Sequence, residues 1–369
     1  MILALADDLT GALETGAKFA AAGIDAVVTT LPAVEPLAEV VVVDTETRHL
    51  PPAEAAAAVH ALALDARRCG VDFIYKKTDS TLRGNIGAEL GALMAAWPGA
   101  PLVYAPAYPR LGRTVCEGVL RVDGVPVAET AFARDRLNPI RESYIPRLLA
   151  PSCGDVRLAA PAALAGPLAA GLYVVDGESD ADIRASARAV VGQGGCLAAG
   201  PAALAECIAR LVEAPREARP PWPRIARALV INGSLHELSL RQVACARAAG
   251  WESAAPADAA RHGDSSPWLI LECPAGLDAD PIEHSRKLGD IVAGVLGPAA
   301  PDALVVFGGD TAFGILTALG CTRLRPLGEV LPGVPISRGT AAGRGFWLLT
   351  KAGAFGTASV LVDLRKMLS

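Results

Sequence analysis

The sequence alternates short apolar runs with longer alanine-rich amphipathic stretches, and this alternation constrains the fold more than any other feature. Residues 2–6 and 40–44 have the composition of buried strands, whereas residues 11–22 and 52–69 have the periodicity of helices. Strands that are apolar throughout occur mainly in parallel sheets that are covered by helices on both faces. The pattern therefore predicts an α/β fold.

The alternation is interrupted at two places. Within residues 120–127, the dipeptide Asp123-Gly124 separates two short β-prone segments, which is typical of a hairpin turn. Residues 213–227 contain four prolines, a density typical of a semi-rigid linker, and the strand and helix patterns restart after them. We therefore predict an N-terminal domain (1–215), a proline-rich linker (216–227) and a C-terminal domain (228–369). Each domain is expected to be a mostly parallel sheet flanked by helices, with a ligand cleft between the two.

The composition excludes several classes of protein. Hydrophobic residues make up 52% of the 369 positions and charged residues 20%, the reverse of a disordered chain. The net charge of −5 gives no basic footprint for nucleic acid. A membrane-spanning helix needs a run of about 18 or more uncharged apolar residues, and the sequence contains no such run. The eight cysteines stand singly, so they indicate neither a zinc site nor a disulfide framework. Since the N-terminus also lacks a signal-peptide pattern, we expect a cytoplasmic protein.

Two carboxylates follow the first predicted strand. Ligands of open α/β sheets bind beyond the carboxyl ends of the strands, so polar residues at these positions are the first candidates for a site. Asp7 and Asp8 follow the strand at 2–6 and precede a helix. Paired carboxylates at such a turn can accept a proton from a hydroxyl or hold a hydrated metal ion. The alternative is that Asp8 or Thr10 only caps the helix.

The segment 76–85, KKTDSTLRGN, also follows a predicted strand and is the densest polar segment of the chain. Its cations suit a carboxylate group, and its carboxylate and amide suit hydroxyl groups, as a polyhydroxylated anion requires. The candidates for substrate contact in this segment are Lys76, Asp79, Ser80, Arg83 and Asn85. Arg113, after the strand at 102–105, is a further candidate for binding an anion. A solvated loop that caps a helix is the alternative interpretation.

Glycine-containing turns follow three predicted strands of the C-terminal domain. Such turns let backbone N–H groups and helix N-termini approach phosphate, although each turn alone could be only a tight connection. The candidates for nucleotide contact are Ser234, Gly308, Gly309, Thr311, Lys351 and Gly353. The GxxxxGK[ST] pattern of P-loop enzymes is absent, and the GxGxxG dinucleotide pattern is incomplete. The turns therefore favour a nucleotide site of another kind.

Eight segments, in order along the chain, make the sequence similar to the four-carbon acid sugar kinase family. They are ADDLTGA (6–12), DTETRHL (44–50), KKTDSTLRGN (76–85), APAYPRLGRT (105–114), DGVPVAET (123–130), NGS (232–234), GGDTA (308–312) and TKAGAFG (350–356). The resemblance implies an N-terminal sugar-acid domain and a C-terminal nucleotide domain. It also implies transfer of the γ-phosphoryl group of ATP, with Mg²⁺, to the terminal 4-hydroxyl of threonate, erythronate or 3-oxo-tetronate. The chain departs from the family pattern at Ala354, where a second glycine is expected, and at Arg136, where proline is frequent.

The resemblance and the strand-end positions together assign roles to the candidates. Asp8 is the first candidate for the base that accepts the 4-hydroxyl proton, and Asp310 is the second. Asp7 and segment 76–85 are expected to line the sugar-acid pocket, with the substrate carboxylate on Arg83 or a neighbouring lysine. Closure of the domains about the linker would exclude water. The metal ligands, the substrate stereochemistry and the oligomeric state stay open, a homo-oligomer included.

Two other functions compete with a kinase. A haloacid-dehalogenase-like phosphatase also places an aspartate at a strand end before a helix, but its DxD spacing does not match residues 7–9. A non-catalytic sensor of sugar acids or nucleotides would need an output, and the sequence has no helix-turn-helix pattern or basic patch. The expected partners are therefore a small sugar acid and ATP, with no nucleic acid and no membrane.

Overall fold

The computed structural model describes residues 1–135, 137–194, 197–234, 236–259, 267–272, 281–295, 301–353 and 355–369. These residues form two compact units, Met1–Glu217 and Ala218–Ser369. The boundary between the units falls within residues 216–227, which contain no helix or strand. The two departures from the family pattern, Arg136 and Ala354, lie outside the described residues.

The described residues of the N-terminal unit form eleven strands. They are β1 (Ile2–Ala6), β2 (Ala26–Thr29), β3 (Val40–Asp44), β4 (Phe73–Lys77), β5 (Pro101–Tyr104), β6 (Arg113–Cys116), β7 (Val119–Val122), β8 (Val125–Pro126), β9 (Val156–Ala159), β10 (Gly171–Val175) and β11 (Leu197–Gly200). Eight of them form a sheet in the order β2-β3-β1-β4-β11-β5-β10-β9, and every neighbouring pair in it is parallel. Ala6 pairs with both Asp44 and Lys77, so β1, β3 and β4 end at the same edge.

The other three strands, β6 to β8, form a small antiparallel sheet. Asp123 and Gly124 join β7 to β8 with φ angles of 50° and 83°, as the predicted hairpin turn requires.

Six α-helices accompany the strands of the N-terminal unit. They are α1 (Leu9–Ala21), α2 (Pro52–Arg68), α3 (Ile86–Ala96), α4 (Ile145–Cys153), α5 (Asp180–Gly192) and α6 (Ala202–Leu211). The central strands are buried on both faces: all five residues of β3 are buried, which explains why its sequence is apolar up to its last position.

The C-terminal unit contains a mixed sheet. Its strands are β12 (Ala228–Asn232), β13 (Ser253–Ala254), β14 (Trp268–Leu271), β15 (Ala303–Phe307), β16 (Arg323–Leu331), β17 (Val334–Ala341) and β18 (Arg344–Lys351). Within the order β13-β14-β12-β15-β18-β17-β16, neighbouring strands are parallel as far as β18, whereas β17 and β16 are antiparallel to their neighbours. The predicted α/β class with mostly parallel sheets is confirmed. The sequence pattern did not reveal β16 and β17, because exposed residues alternate with buried ones along much of β16.

The described helices of this unit are α7 (Glu237–Ala248), α8 (Pro256–Ala259), α9 (Pro281–Val295), α10 (Gly309–Ala318) and α11 (Val360–Leu368). Helices α9 and α10 approach closely at Gly289 and Gly314, where a Cβ atom on either glycine would collide with the backbone of the other helix. In the described parts of both units, no helix has the length and apolar character that crossing a membrane requires.

Candidate functional site

Arg48 holds the two aspartates at the end of β1. Its Nε and Nη2 atoms donate to Asp7 Oδ2 at 2.8 Å and to Asp7 Oδ1 at 2.9 Å, and its Nη1 donates to Asp8 Oδ2. The other oxygen of Asp8 accepts the Gly11 N–H at 2.8 Å and caps α1. Asp8 is therefore both the predicted helix cap and a member of the charged cluster.

Asp79 and Arg83 form a second pair in the loop that follows β4. Arg83 donates to Asp79 through Nε at 3.1 Å and Nη2 at 2.7 Å, and Asp79 also accepts the Thr81 N–H at 2.9 Å. Arg83 Nη1 lies 3.7 Å from Asp135 Oδ2, and its guanidinium carbon lies 5.8 Å from the ring centroid of Phe132. The Arg83 guanidinium is thus engaged by carboxylates of this chain.

The carboxylates of Asp7 and Asp79 are held in the ionised form. Burial alone would raise the pKa of Asp79, but the charges of Arg83 and Arg48 outweigh it and hold that pKa well below its ordinary value. Burial also opposes ionisation of Asp7, and Arg48 with two lysines lowers the pKa of its carboxyl. A buried acid with a lowered pKa is a poor proton acceptor, so Asp7 and Asp79 suit hydrogen bonding and orientation better than base catalysis.

Arg113 is the first residue of β6, and its environment differs from those of Arg48 and Arg83. Burial lowers its pKa, the charges of Asp123 and Asp79 oppose this effect, and the charge of Arg83 adds to it. Its Nη1 donates to the Leu111 carbonyl, while its Nε–H is buried without a hydrogen-bond partner among the described residues. A buried donor without a partner costs free energy unless a ligand satisfies it.

The remaining predicted substrate residues occupy supporting positions. Lys76 is 0% exposed, and its ammonium lies 3.1 Å from Glu89 Oε2. The amide of Asn85 donates to the carbonyls of Thr47 at 2.9 Å and Leu50 at 2.8 Å, and so ties its loop to residues 45–50. Ser80 is half-buried in the turn after Asp79. That Lys76, Asn85 and Ser80 contact a substrate stays a prediction.

Sequence reasoning missed Arg48 as a site residue. The rule applied to the other strands, that polar residues beyond the carboxyl end form the site, applies equally to residues 45–50 after β3. The loop lies against β1, since the Thr45 hydroxyl donates to the Ala6 carbonyl at 2.7 Å and Arg48 N–H donates to the Asp7 carbonyl at 3.1 Å. Gly84, with φ at +90°, gives room for this arrangement because a Cβ there would lie 3.1 Å from Asp7 Oδ2.

The three glycine-containing turns of the C-terminal unit follow β12, β15 and β18, which are adjacent and parallel. Their ends are therefore neighbours: the Gly233 N–H donates to the Phe307 carbonyl at 3.1 Å, and the Gly308 N–H donates to the Lys351 carbonyl at 3.0 Å. Gly308, with φ at +107°, precedes α10, whose N-terminus contains Gly309, Asp310 and Thr311. A helix N-terminus beside glycines is suited to phosphate.

Glycine is needed at two of these turns because the chains approach closely. A Cβ on Gly233 would collide with the side chain of Thr311, and a Cβ on Gly353 would lie 2.6 Å from Ser234 Oγ. Five of the predicted nucleotide residues, Ser234, Gly308, Gly309, Thr311 and Gly353, thus occupy one edge of the sheet.

Lys351 lies inside this edge. The residue is 1% exposed, and its ammonium donates to three carbonyls of the following turn, those of Ala352 at 2.7 Å, Gly353 at 3.1 Å and Phe355 at 3.1 Å. The Nζ atom also lies 4.5 Å from the ring centroid of Phe307. Burial lowers the pKa of Lys351 to about 8. Since its donors face the carbonyls of the turn, Lys351 holds the shape of that turn.

Two family models match separate parts of the chain. A family model described as a sugar-binding N-terminal domain matches residues 2–208, and one described as a nucleotide-binding C-terminal domain matches residues 274–361. The C-terminal unit therefore contains a nucleotide-binding domain.

Several curated proteins are similar over nearly their whole length. A D-threonate kinase from Bordetella bronchiseptica is 37% identical over 97% of this chain and 95% of its own. A D-threonate kinase from Salmonella typhimurium is 32% identical over 98% and 97%, and a 3-oxo-tetronate kinase from Methylobacterium radiotolerans is 28% identical over 96% of each chain.

Solved structures share the fold. A Haemophilus influenzae protein superposes with a TM-score of 0.77 at 21% identity, covering 100% of both chains. A Bordetella bronchiseptica protein, crystallised as a domain-swapped dimer with bound citrate, is 32% identical with a TM-score of 0.53 over 100% of this chain and 98% of its own. By its two domains and its full-length similarity to these kinases, the chain belongs to the four-carbon acid sugar kinase family.

Proposed function

We propose that this kinase transfers the γ-phosphoryl group of ATP to the terminal 4-hydroxyl of D-threonate. The observation that carries the proposal is the cluster of Asp7, Asp8 and Asp79 with Arg48 and Arg83 at the carboxyl edge of the N-terminal sheet. Carboxylates accept hydrogen bonds from sugar hydroxyls, and a guanidinium binds a carboxylate in a bidentate manner. We choose D-threonate over other tetronates because three full-length relatives named for it are 37%, 32% and 34% identical, whereas two named for 3-oxo-tetronate are each 28% identical.

Arg113 is the proposed ligand of the substrate carboxylate. The sequence favoured Arg83 or a lysine, but Arg83 is already held by Asp79 and Asp135. Among the residues that the structure describes, the buried Nε–H of Arg113 has no hydrogen-bond partner, and such a donor supports an anionic ligand. Its positive charge would then balance the single negative charge of the sugar acid.

Asp8 is the proposed base. Of the two aspartates after β1, Asp8 has the more exposed side chain, 12% against 1% for Asp7, and only Asp7 is bound by Arg48 through both oxygens. In phosphoryl transfer, positioning and charge neutralisation supply most of the catalysis, so the base needs only to orient the hydroxyl and accept its proton.

The turns after β12, β15 and β18 are proposed to hold ATP. The α10 N-terminus and the N–H groups of the glycine turns suit the phosphates, and Ser234 and Thr311 supply hydroxyl donors. Lys351 would act by shaping the turn, because its donors face the carbonyls of that turn.

Mg²⁺ is proposed to accompany ATP. The described residues contain no cluster of three or more acidic, histidine or cysteine side chains suited to a metal ion. This agrees with magnesium chemistry, since the ion usually keeps water and binds one or two carboxylates together with substrate phosphates. Asp310, in the first turn of α10, is the carboxylate of the glycine turns and would hold the ion. When bound, Mg²⁺ neutralises charge on the transferring phosphoryl group.

The test incubates the protein with ATP, Mg²⁺ and a panel of tetronates and follows ADP release. We expect the highest kcat/KM for D-threonate. Asp8→Asn should lower kcat by about 100-fold or more, and it should leave the fold intact because asparagine also caps helices. The matched control is Asp65→Asn, a half-buried aspartate in α2 that pairs with the exposed Arg68. ADP release independent of every tetronate, or normal turnover in Asp8→Asn, would contradict the proposal.

A further inference from the structure

A buried ion pair borders the loop that carries Arg48. Lys76, at the end of β4, and Glu89, in the first turn of α3, are 0% and 1% exposed, and Lys76 Nζ lies 3.1 Å from Glu89 Oε2. Burying an ion pair carries a desolvation penalty that two apolar side chains of similar volume avoid. Stability alone is therefore a weak explanation for the pair.

Thr47 connects the pair to the Arg48 loop. The Thr47 hydroxyl donates to Glu89 Oε1, and its carbonyl accepts from Asn85 Nδ2 at 2.9 Å. Thr47 is 0% exposed, so its side chain and its backbone are both fixed within the protein. The next residue is Arg48, which holds Asp7 and Asp8.

Lys76 fixes the other oxygen of Glu89. Its ammonium also donates to the Lys77 carbonyl at 3.1 Å, which connects the carboxylate to the end of β4. One oxygen of Glu89 therefore faces the sheet and the other faces the Arg48 loop. This arrangement sets the distance between the strand end that carries the 78–85 loop and the loop that carries Arg48.

We propose that the Lys76–Glu89 pair is a positioning device that fixes Thr47, and through it the Arg48 guanidinium, for binding of the sugar acid. The proposal gives Lys76 an indirect role in place of the substrate contact expected from the sequence. It rests on the proposed function for the identity of the ligand. Displacement of a substrate-positioning group by about 1 Å can lower activity by about 100-fold, so a small shift of the loop that carries Arg48 is measurable.

The test compares a charge-free pair with the native pair. Lys76→Met combined with Glu89→Leu fills the space but removes the carboxylate that accepts from the Thr47 hydroxyl. We expect its melting temperature to stay close to that of the wild type, while KM for D-threonate rises about tenfold or more and KM for ATP is unchanged. Thr47→Val keeps the ion pair and the side-chain volume and should raise the same KM. Glu54→Gln, an exposed glutamate in the first turn of α2, is the control.

A second measurement does not depend on catalysis. Hydrogen exchange of peptides covering residues 45–50 should be faster in the double variant and in Thr47→Val than in the wild type and Glu54→Gln. If the wild type phosphorylates no tetronate, the proposed function fails, and the exchange experiment still decides the positioning role. A wild-type KM for D-threonate in the double variant, or unchanged exchange at 45–50, overturns the proposal.

Discussion

Removing the Arg48 guanidinium should destabilise the N-terminal unit in a pH-dependent way. Arg48 binds both oxygens of Asp7, whose side chain is 1% exposed, so Arg48→Met leaves a buried carboxylate without its main partner. Breaking a buried ion pair in this way costs about 3–5 kcal/mol of unfolding free energy. We expect a loss of this size at about pH 7.5.

The pH dependence follows from the pKa of Asp7. In the wild type, burial raises this pKa but Arg48, Lys76 and Lys77 lower it more, so the stabilisation is present above the ordinary pKa of 3.8 and is lost as the pH falls through the lowered value. Without Arg48, the largest contribution that lowers this pKa is gone, so we expect the pKa of Asp7 to be higher in the variant than in the wild type. The buried carboxyl of the variant then becomes neutral at a higher pH, which removes the cost of the unpaired charge. The difference between the proteins should therefore shrink at about pH 4.5.

Urea unfolding at the two pH values measures this difference, with hydrogen exchange in β1 peptides assigning the transition to the N-terminal unit. The matched control is Arg68→Met, which removes an exposed arginine paired with Asp65 one turn away. Its loss should be at most about 1 kcal/mol. An Arg48→Met loss as small as that of Arg68→Met, or an equal loss at both pH values, would refute the inference that Arg48 stabilises the buried Asp7 carboxylate.

Three further predictions concern ligand binding and titration. Gly353→Ala should raise KM for ATP with little effect on KM for the sugar acid, because the added Cβ meets Ser234 Oγ at 2.6 Å; equal effects on the two KM values, measured by steady-state kinetics, would count against it. Arg113→Met should raise KM for D-threonate by about 10–100-fold, since a charge-assisted carboxylate contact is worth about 1.5–3 kcal/mol, and an unchanged KM would remove Arg113 from the site. The folded-state pKa of Lys351 is about 8, below its ordinary 10.5, so the unfolded chain binds more protons between these values. The unfolding free energy of the wild type, relative to Lys351→Met, should therefore rise with pH across that window by up to about 3 kcal/mol; a flat or falling difference in urea titrations would contradict this.

Much of the fold could be predicted because the signal was local. The predicted bounds of β1 and β3 equal those of the structure. Strands buried on both faces require apolar residues throughout, and this requirement is visible in a single sequence. Strands β16 and β17 were missed because a half-exposed antiparallel strand can carry charged residues such as Arg323 and Arg325, which weakens the apolar signal.

The sequence by itself determined the α/β class, the motifs at the strand ends and the family. Each depends on residue types and on short-range order, which the chain carries without folding. Tertiary structure alone decided how the charges pair. Arg48 binds Asp7 across 41 positions and Lys76 pairs with Glu89, while Lys351 faces the carbonyls of its own turn. These choices depend on which strand ends become neighbours and which side chains lose water, because burial sets both the cost of an unpaired charge and the strength of the pair that replaces it.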